Sequence, residues 1–413
     1  MHTLRIRGGK PLEGRISISG AKNAALPVLA STVLFSGICR VENCPDLLDV
    51  EAAIEILRHL GAQCARHGDT VTVDPRGISR WDIPQVLMQR MRGSVFFMGP
   101  LMARFGRCML ANPGGCPLGE RPVDFHVMGM QALGAEFDCG DDVLACRGRL
   151  KGNRIILPYP SVGATENLLM AALGAEGETV IEHAAREPEI RCLCDFLRLG
   201  GCKISGDGTD SIHIKPGLPE HTSMKLIPDR MEAATYLCAA ASAGGRVQLG
   251  NCCPEHLEAV IEVLRRAGCV IACEGKSMTV YADGLISPGQ IETGPYPAFP
   301  TDAQAPMMAA LLKAKGECVI RETVFSQRMH HVPALQSMGG KIAVQGGRAV
   351  MTGTKTLCGA KVKATDLRGG AALLVAALGA SGETEILGLG HLFRGYEDIV
   401  GKLSALGAQV SPG

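Results

Sequence analysis

A repeat of about seventy residues, carried six times, limits this chain more than any other feature. Two short patterns interleave along it. The first is a leucine-rich helix end, a glycine and a β-like run, as in HLGAQCARHG, ALGAEFDCGD and RAGCVIACEG. Its glycines are Gly61, Gly134, Gly201, Gly268, Gly339 and Gly407, at intervals of 73, 67, 67, 71 and 68. The second is a small residue, a glycine and an alternating run, as in RFGRCMLANP and AKGECVIRET. Its glycines are Gly37, Gly106, Gly177, Gly245, Gly316 and Gly382, at intervals of 69, 71, 68, 71 and 66. Two markers that keep one period through six copies describe six copies of one supersecondary unit.

Each copy reads as helix, strand, helix, then one or two strands. The first helices include Ala24–Phe35 and Glu166–Ala175; the second include Asp49–Leu60 and Pro254–Arg266, with apolar residues near 3.6 spacing. Glycine after the second helix suits a left-handed C-cap. The runs Lys203–Ser205 and Thr279–Tyr281 alternate as half-buried strands. Three such copies close one core of roughly 200 residues. The 413 residues therefore predict an α/β protein of two domains, each made of three βαβαββ-type repeats. The seam falls near Leu226–Pro228. An orphan strand and turn occupy residues 3–20 and the last copy ends on a strand. The predicted domains are thus 21–227 and a discontinuous one, 1–20 with 228–413.

Charge excludes some function classes. Lys and Arg number 42 and Asp and Glu 41, so bulk attraction to nucleic acid or membrane is not expected. The opening MHTLRIRGGKPLEGRI lacks the apolar core of a signal peptide, and Ala371–Ala380 is too short to span a bilayer. A cytoplasmic protein is the expectation. Its 17 cysteines, an odd number, then read as free thiols, most of them small core residues. No C-x-x-C pair occurs. Cys192 with Cys194, and Cys252 beside Cys253, have no partner pair at zinc spacing, so no metal site is expected.

The segment Asn112-Pro-Gly-Gly-Cys-Pro-Leu-Gly-Glu-Arg-Pro122 has three prolines and three glycines, which rule out helix and central strand. A cysteine in such a loop is exposed, and Arg121 beside it favours the thiolate while Glu120 opposes it. Cys116 is the thiol with a catalytic or redox reading. Ser19-Gly-Ala-Lys-Asn23 is a turn feeding a helix, with Ser19 or Gly20 as cap and first-turn amides plus Lys22 as an anion site; a solvated lysine is the bland alternative.

Arg92 and Phe96 are expected at i and i+4 on one face of an apolar helix, where an arginine needs an anion or must reach solvent. Asp302, after the rigid Ala298-Phe-Pro-Thr turn, reads equally as a general base or as an N-cap. Arg368 and Arg394 each stand beside a glycine at a helix start, as anion ligands or as surface ion pairs worth little. Lys22, Arg92, Arg121, Arg368 and Arg394 fall at equivalent-looking places in several repeats. Their convergence would mean a strongly anionic substrate.

These segments resemble the UDP-N-acetylglucosamine 1-carboxyvinyltransferases along the whole chain, through GGKPLEGRISISGAKNAALP, NPGGCPLGERPVD, SVGAT, AAREPEI, LIPDRMEAATYL, PAFPTDAQA, ETVF, ATDLRGGAAL and FRGYEDI. The resemblance implies a two-domain inside-out α/β barrel with its active site in the cleft between domains. It implies phosphoenolpyruvate and UDP-N-acetylglucosamine as substrates, no metal or organic cofactor, and a monomer. Lys22 and Asn23, with Arg121 and Arg394, would grip phosphoenolpyruvate, and Arg92 would sit near the reacting groups.

Arg121, Pro122, Val123, Asp124 and Phe125 would hold the uracil and diphosphate, and Ser161, Val162 and Gly163 the diphosphate end. Asp302 and Val324 would meet the amino sugar, while Asp366 and Arg368 line the same site. Cys116 would be the general acid and Asp302 the base. Phe96, Tyr159, Cys192 and Ser326-Gln327 depart from the commoner pattern, and Tyr159 weakens a nucleotide contact there. The alternatives are enolpyruvyl transfer to shikimate 3-phosphate, a non-catalytic UDP-sugar-binding paralogue and a thiol redox protein. The first does not depend on a loop cysteine; the last lacks a paired one.

Overall fold

All six glycines of the first marker have positive φ, from 79° at Gly407 to 113° at Gly61. Gly61 ends the helix Leu48–Leu60 in the left-handed conformation. A Cβ there would also lie 2.4 Å from the carbonyl oxygen of Gly77. Gly61→Ala is expected to lower stability by roughly 2 kcal/mol, read as a shift in the denaturant midpoint at unchanged slope. In the second marker, Gly37 is the exception: it is absent from the positive-φ positions that include the other five.

The computed structural model describes residues 3–111, 123–139, 143–325 and 327–413. Cys116, Arg121, Pro122 and Ser326 lie outside them, as does the side chain of Arg92. Contacts within the described residues divide into two units, residues 3–19 with 228–413, and residues 20–111 with 123–227.

Each unit holds three four-stranded sheets of one pattern. In the first copy the order is Thr222–Lys225, Cys39–Glu42, Thr70–Asp74, Gln63–His67. The first pair is parallel and the other two antiparallel, the last two strands forming a hairpin. The same order recurs in every copy, so the six-unit reading of the sequence holds at the level of hydrogen bonds.

The chain's opening strands explain the discontinuity. Thr3–Arg7 pairs antiparallel with Glu383–Leu387 and Gln409–Pro412, completing the sixth sheet, with Leu4 opposite Ile386. Leu12–Ser17 runs parallel to Gly245–Gly250, with Leu12 opposite Gly245, and fills the parallel edge of the fourth sheet. In the first sheet that parallel edge is Thr222–Lys225, which the chain reaches some 180 residues later. Only the unit that holds residues 3–19 thus takes strands from the far side of a chain crossing; Thr222–Lys225 closes a sheet of its own unit.

Six helices precede the first strand of each copy: α1 Lys22–Ser31, α2 Met98–Phe105, α3 Val162–Ala172, α4 Arg230–Ala243, α5 Thr301–Ala310 and α6 Leu367–Gly379. All but α2, which leaves Ala103, Arg104 and Phe105 half-buried, lack an amphipathic pattern. α6 is buried from Arg368 to Gly379 and α4 from Met231 to Ser242. A helix apolar on every side belongs inside a core, and α4, α5 and α6 pack on one another. Alanine and glycine allow that approach: a Cβ on Gly379 would lie 2.3 Å from Ser242 Oγ. Second helices such as Glu258–Arg266 bury one face, Val260, Ile261, Val263 and Leu264. Among the described cysteine side chains, eleven are buried, two half-buried and two exposed, as a reduced core composition requires.

No helix among the described residues is long and apolar enough to cross a membrane.

Candidate functional site

Asp302 sits in the first turn of α5, which starts after Pro300. Pro300, not Asp302, occupies the N-cap position, so the capping alternative is corrected. The carboxylate is held from both sides instead. Arg328 Nη1 donates to Oδ1 at 2.7 Å and Arg368 Nη2 donates to Oδ2 at 2.7 Å. Both arginines are buried, at 3% and 6% exposure, while the Asp302 side chain keeps 26%. Arg368 therefore makes a buried ion pair and no surface one. Burial alone would lower its pKa, but Asp302 beside it holds the guanidinium charged, above the ordinary range.

Each partner is itself positioned. Asp366 caps α6, its Oδ1 accepting from the amides of Arg368 and Gly369 at 2.9 Å each; this is the helix start expected from TDLRG. Tyr396 Oη lies 3.3 Å from Arg368 Nη1 and 2.8 Å from Thr235 Oγ1. Arg328 also donates to Thr301 Oγ1 at 2.9 Å and lies over the Phe325 ring, 4.6 Å from its centroid.

Glu322 ties this arrangement to the next turn. Its Oε2 accepts from Thr301 Oγ1, and its Oε1 from Thr293 Oγ1 and the amides of Val324 and Phe325, all between 2.8 and 2.9 Å. One buried carboxylate thus fixes both Thr301, next to Asp302, and the Val324 turn. Glu322, Arg328 and Tyr396 were not singled out from sequence as functional residues. Glu322 and Tyr396 stood inside the ETVF and FRGYEDI segments that drew attention to other residues. Arg394 ends the turn Leu389–Arg394, which packs on α6.

The other unit presents a second group. Lys22 opens α1 and pairs with Asp49 Oδ2 at 3.4 Å, with only 13% of its side chain exposed. It is not a solvated surface lysine. The cap position is Ala21, with no side-chain bond, so neither Ser19 nor Gly20 caps the helix; the Ser19 amide donates to Glu232 instead. Asn23 follows, half-buried.

Ser161 caps α3, its hydroxyl accepting from the Ala164 amide at 3.4 Å. Val162 packs half-buried on the core. A Cβ on Gly163 would lie 3.4 Å from the His126 ring and from Phe96. Val123 is the residue before the helix Asp124–Ala132, with Asp124 exposed and Phe125 against the core.

His126, buried, was also missed; its Nδ1 accepts from Asn167 Nδ2 at 2.8 Å, and Asn167 reaches Val95 O and the Gly99 amide as well. Burial lowers the His126 pKa to about 4, so the ring is neutral, with its proton on Nε2.

The backbone at Arg92 and Phe96 does not take the expected α-helical form. Arg92–Phe97 is a 3₁₀ segment, preceded by the short helix Gln85–Met88 and followed by α2. At three residues per turn, positions four apart leave a common face.

Among known proteins, the sequence model of the EPSP synthase (3-phosphoshikimate 1-carboxyvinyltransferase) family matches residues 6–403. The UDP-N-acetylglucosamine 1-carboxyvinyltransferase of Synechocystis sp. is 45% identical over 99% of this chain and 94% of its own length. That of Desulforapulum autotrophicum is 44% identical over 99% of both chains. The crystal structure of the enolpyruvyl transferase NikO from Streptomyces tendae superposes with a TM-score of 0.90 at 26% identity, over 99% of this chain and 98% of that one.

Proposed function

The chain belongs to the EPSP synthase family, and on that premise we infer that it is a UDP-N-acetylglucosamine 1-carboxyvinyltransferase. It transfers the enolpyruvyl group of phosphoenolpyruvate to the 3-hydroxyl of UDP-N-acetylglucosamine and releases phosphate. The full-length identity of 45% to a transferase of that name carries the reading.

Asp302 takes the proton of the 3-hydroxyl as that oxygen attacks C2 of phosphoenolpyruvate, while the Cys116 thiol protonates C3. The tetrahedral intermediate then loses a proton from C3 and expels phosphate. Lys22, Asn23, Arg121 and Arg394 grip phosphoenolpyruvate, and Arg92 and Arg368 balance the charge that develops. Val123, Asp124 and Phe125, with Arg121 and Pro122, hold the nucleotide. Ser161, Val162 and Gly163 meet the diphosphate end, and Val324 and Asp366 the sugar side.

The hydrogen bonds at Asp302 support its role: two buried guanidiniums orient both oxygens, and exposure of the carboxylate leaves it reachable. No residue of this set calls for a metal or an organic cofactor. The product is a peptidoglycan precursor, and the enzyme acts as a cytoplasmic monomer.

Phosphate release from phosphoenolpyruvate, measured with UDP-N-acetylglucosamine and separately with shikimate 3-phosphate, tests the reading. Release with the first acceptor is expected. Release with shikimate 3-phosphate alone, or with neither, overturns it. Fosfomycin, an epoxide, should leave its mass adduct on the peptide bearing Cys116; an adduct on another cysteine removes that residue from its role.

A further inference from the structure

The turn between the fourth sheet's first strand and its second helix brings together three side chains of different chemistry. Cys253, Glu255 and His256 each offer one donor atom, and the three atoms lie within 4.8 Å of one another. We propose that this turn is a binding site for a zinc-class divalent cation, coordinated by Cys253 Sγ, a Glu255 carboxylate oxygen and a His256 ring nitrogen.

Sequence spacing argued against a metal here because no paired cysteine motif occurs. Folding supplies the set differently. Pro254–His256 is one turn of 3₁₀ helix with Cys253 at its N-cap position, so residues i, i+2 and i+3 converge. A tetrahedral zinc ion with bonds of about 2.0–2.3 Å separates its donors by roughly 3.5 Å. Side-chain rotation closes that remaining gap.

The backbone beneath is fixed. The Cys252 amide donates to Lys276 O at 3.0 Å, and the His256 amide to Cys253 O at 3.0 Å. Asn251 Nδ2 donates to Ile18 O at 2.7 Å. Tyr296 Oη donates to Glu255 O at 3.3 Å. A recess beside the turn is lined by His256, Leu257, Tyr296, Pro297 and Pro300.

Thiolate, imidazole and carboxylate together select zinc and its borderline-soft neighbours over magnesium or calcium. Without metal, burial and then Glu255 hold the Cys253 thiol protonated, and Lys276 opposes them. Binding therefore displaces one proton from Sγ to solvent, leaving thiolate and carboxylate to neutralise the cation. Cys253 and His256 are half-buried and Glu255 exposed, so the fourth position stays open to solvent.

Cobalt(II) titrated into the full chain reports the site, since a cobalt–thiolate bond absorbs in the near ultraviolet. One equivalent with that absorption is expected. Cys253→Ser should abolish the band, and His256→Ala should weaken binding by at least about tenfold. Glu255→Gln, an exposed change that leaves the fold intact, should weaken it as well. Cys273→Ser and Cys358→Ser, at the two exposed thiols among the described residues, should change nothing. Absence of the band in folded wild type overturns the proposal. So does a band that survives Cys253→Ser, or one unaffected by both Glu255→Gln and His256→Ala.

Discussion

Asp302→Asn lowers kcat by about two to four orders of magnitude, the range general-base catalysis supplies, and lowers stability at the same time. Both effects come from one carboxylate. Asparagine keeps the shape and one carbonyl acceptor, but it cannot take the proton of an attacking hydroxyl. Its amide nitrogen would also point a donor at a guanidinium that already donates. Arg328 and Arg368, at 3% and 6% exposure, then lose their counter-charge.

Breaking a fully buried pair costs about 3–5 kcal/mol. Here solvent reaches the carboxylate, with 26% of the side chain exposed, so roughly 2–3 kcal/mol is expected. The two effects separate by temperature. A catalytic deficit caused by unfolding shrinks on cooling below the transition, whereas loss of the base persists. A kcat within tenfold of wild type, in fully folded Asp302→Asn, assigns the proton transfer to another group.

That network also marks how far sequence reasoning reaches. The repeat was legible because each copy must end its second helix in a left-handed turn and then enter a strand. Glycine is the residue that does this without strain, so the period is written in the chain. The donation of Leu12–Ser17 to the fourth sheet was legible only as an orphan strand, since pairing partners some 230 residues apart leave no local trace.

At the site, Asp302 and Arg368 stood out as charges next to helix starts, and Asp366 came with the family resemblance. Glu322 and Arg328 did not, because a charged residue between strand and turn looks like surface until burial and partners are known. Arg92 and Phe96 were read with an α-helical period where the chain adopts 3₁₀ geometry. Nothing in that apolar run distinguishes the two periods over so few residues.

Acid destabilises the protein through its buried histidines. His331 lies 3% exposed beside Asp366 and Arg328. Burial lowers its pKa from 6.5 to about 4; Asp366 raises it, while Arg328 and then His330 lower it further. The folded protein holds the ring neutral, and the unfolded chain takes up a proton near the ordinary value. Between about pH 6.5 and 4 the unfolded state therefore binds more protons, so stability falls as pH falls.

Above that window both states are neutral and the histidine contributes no slope. The displacement converts to at most about 3 kcal/mol. His126, also lowered to about 4 by burial, acts in the same sense. Its Nδ1 must stay unprotonated to accept from Asn167. Glu232 opposes them: burial raises it from 4.5 to about 7, against the pull of Lys402, so it favours the folded state as pH falls through that range.

Total stability mixes these contributions, so the measurement is a difference. His331→Gln, followed by chemical denaturation from pH 7 to pH 4, removes one titrating ring and leaves Glu232 and His126 in place. Wild type should lose ground against His331→Gln by roughly 2–3 kcal/mol across the window, and none of it above pH 7. Equal slopes for the two proteins would mean that His331 takes up its proton as readily folded as unfolded.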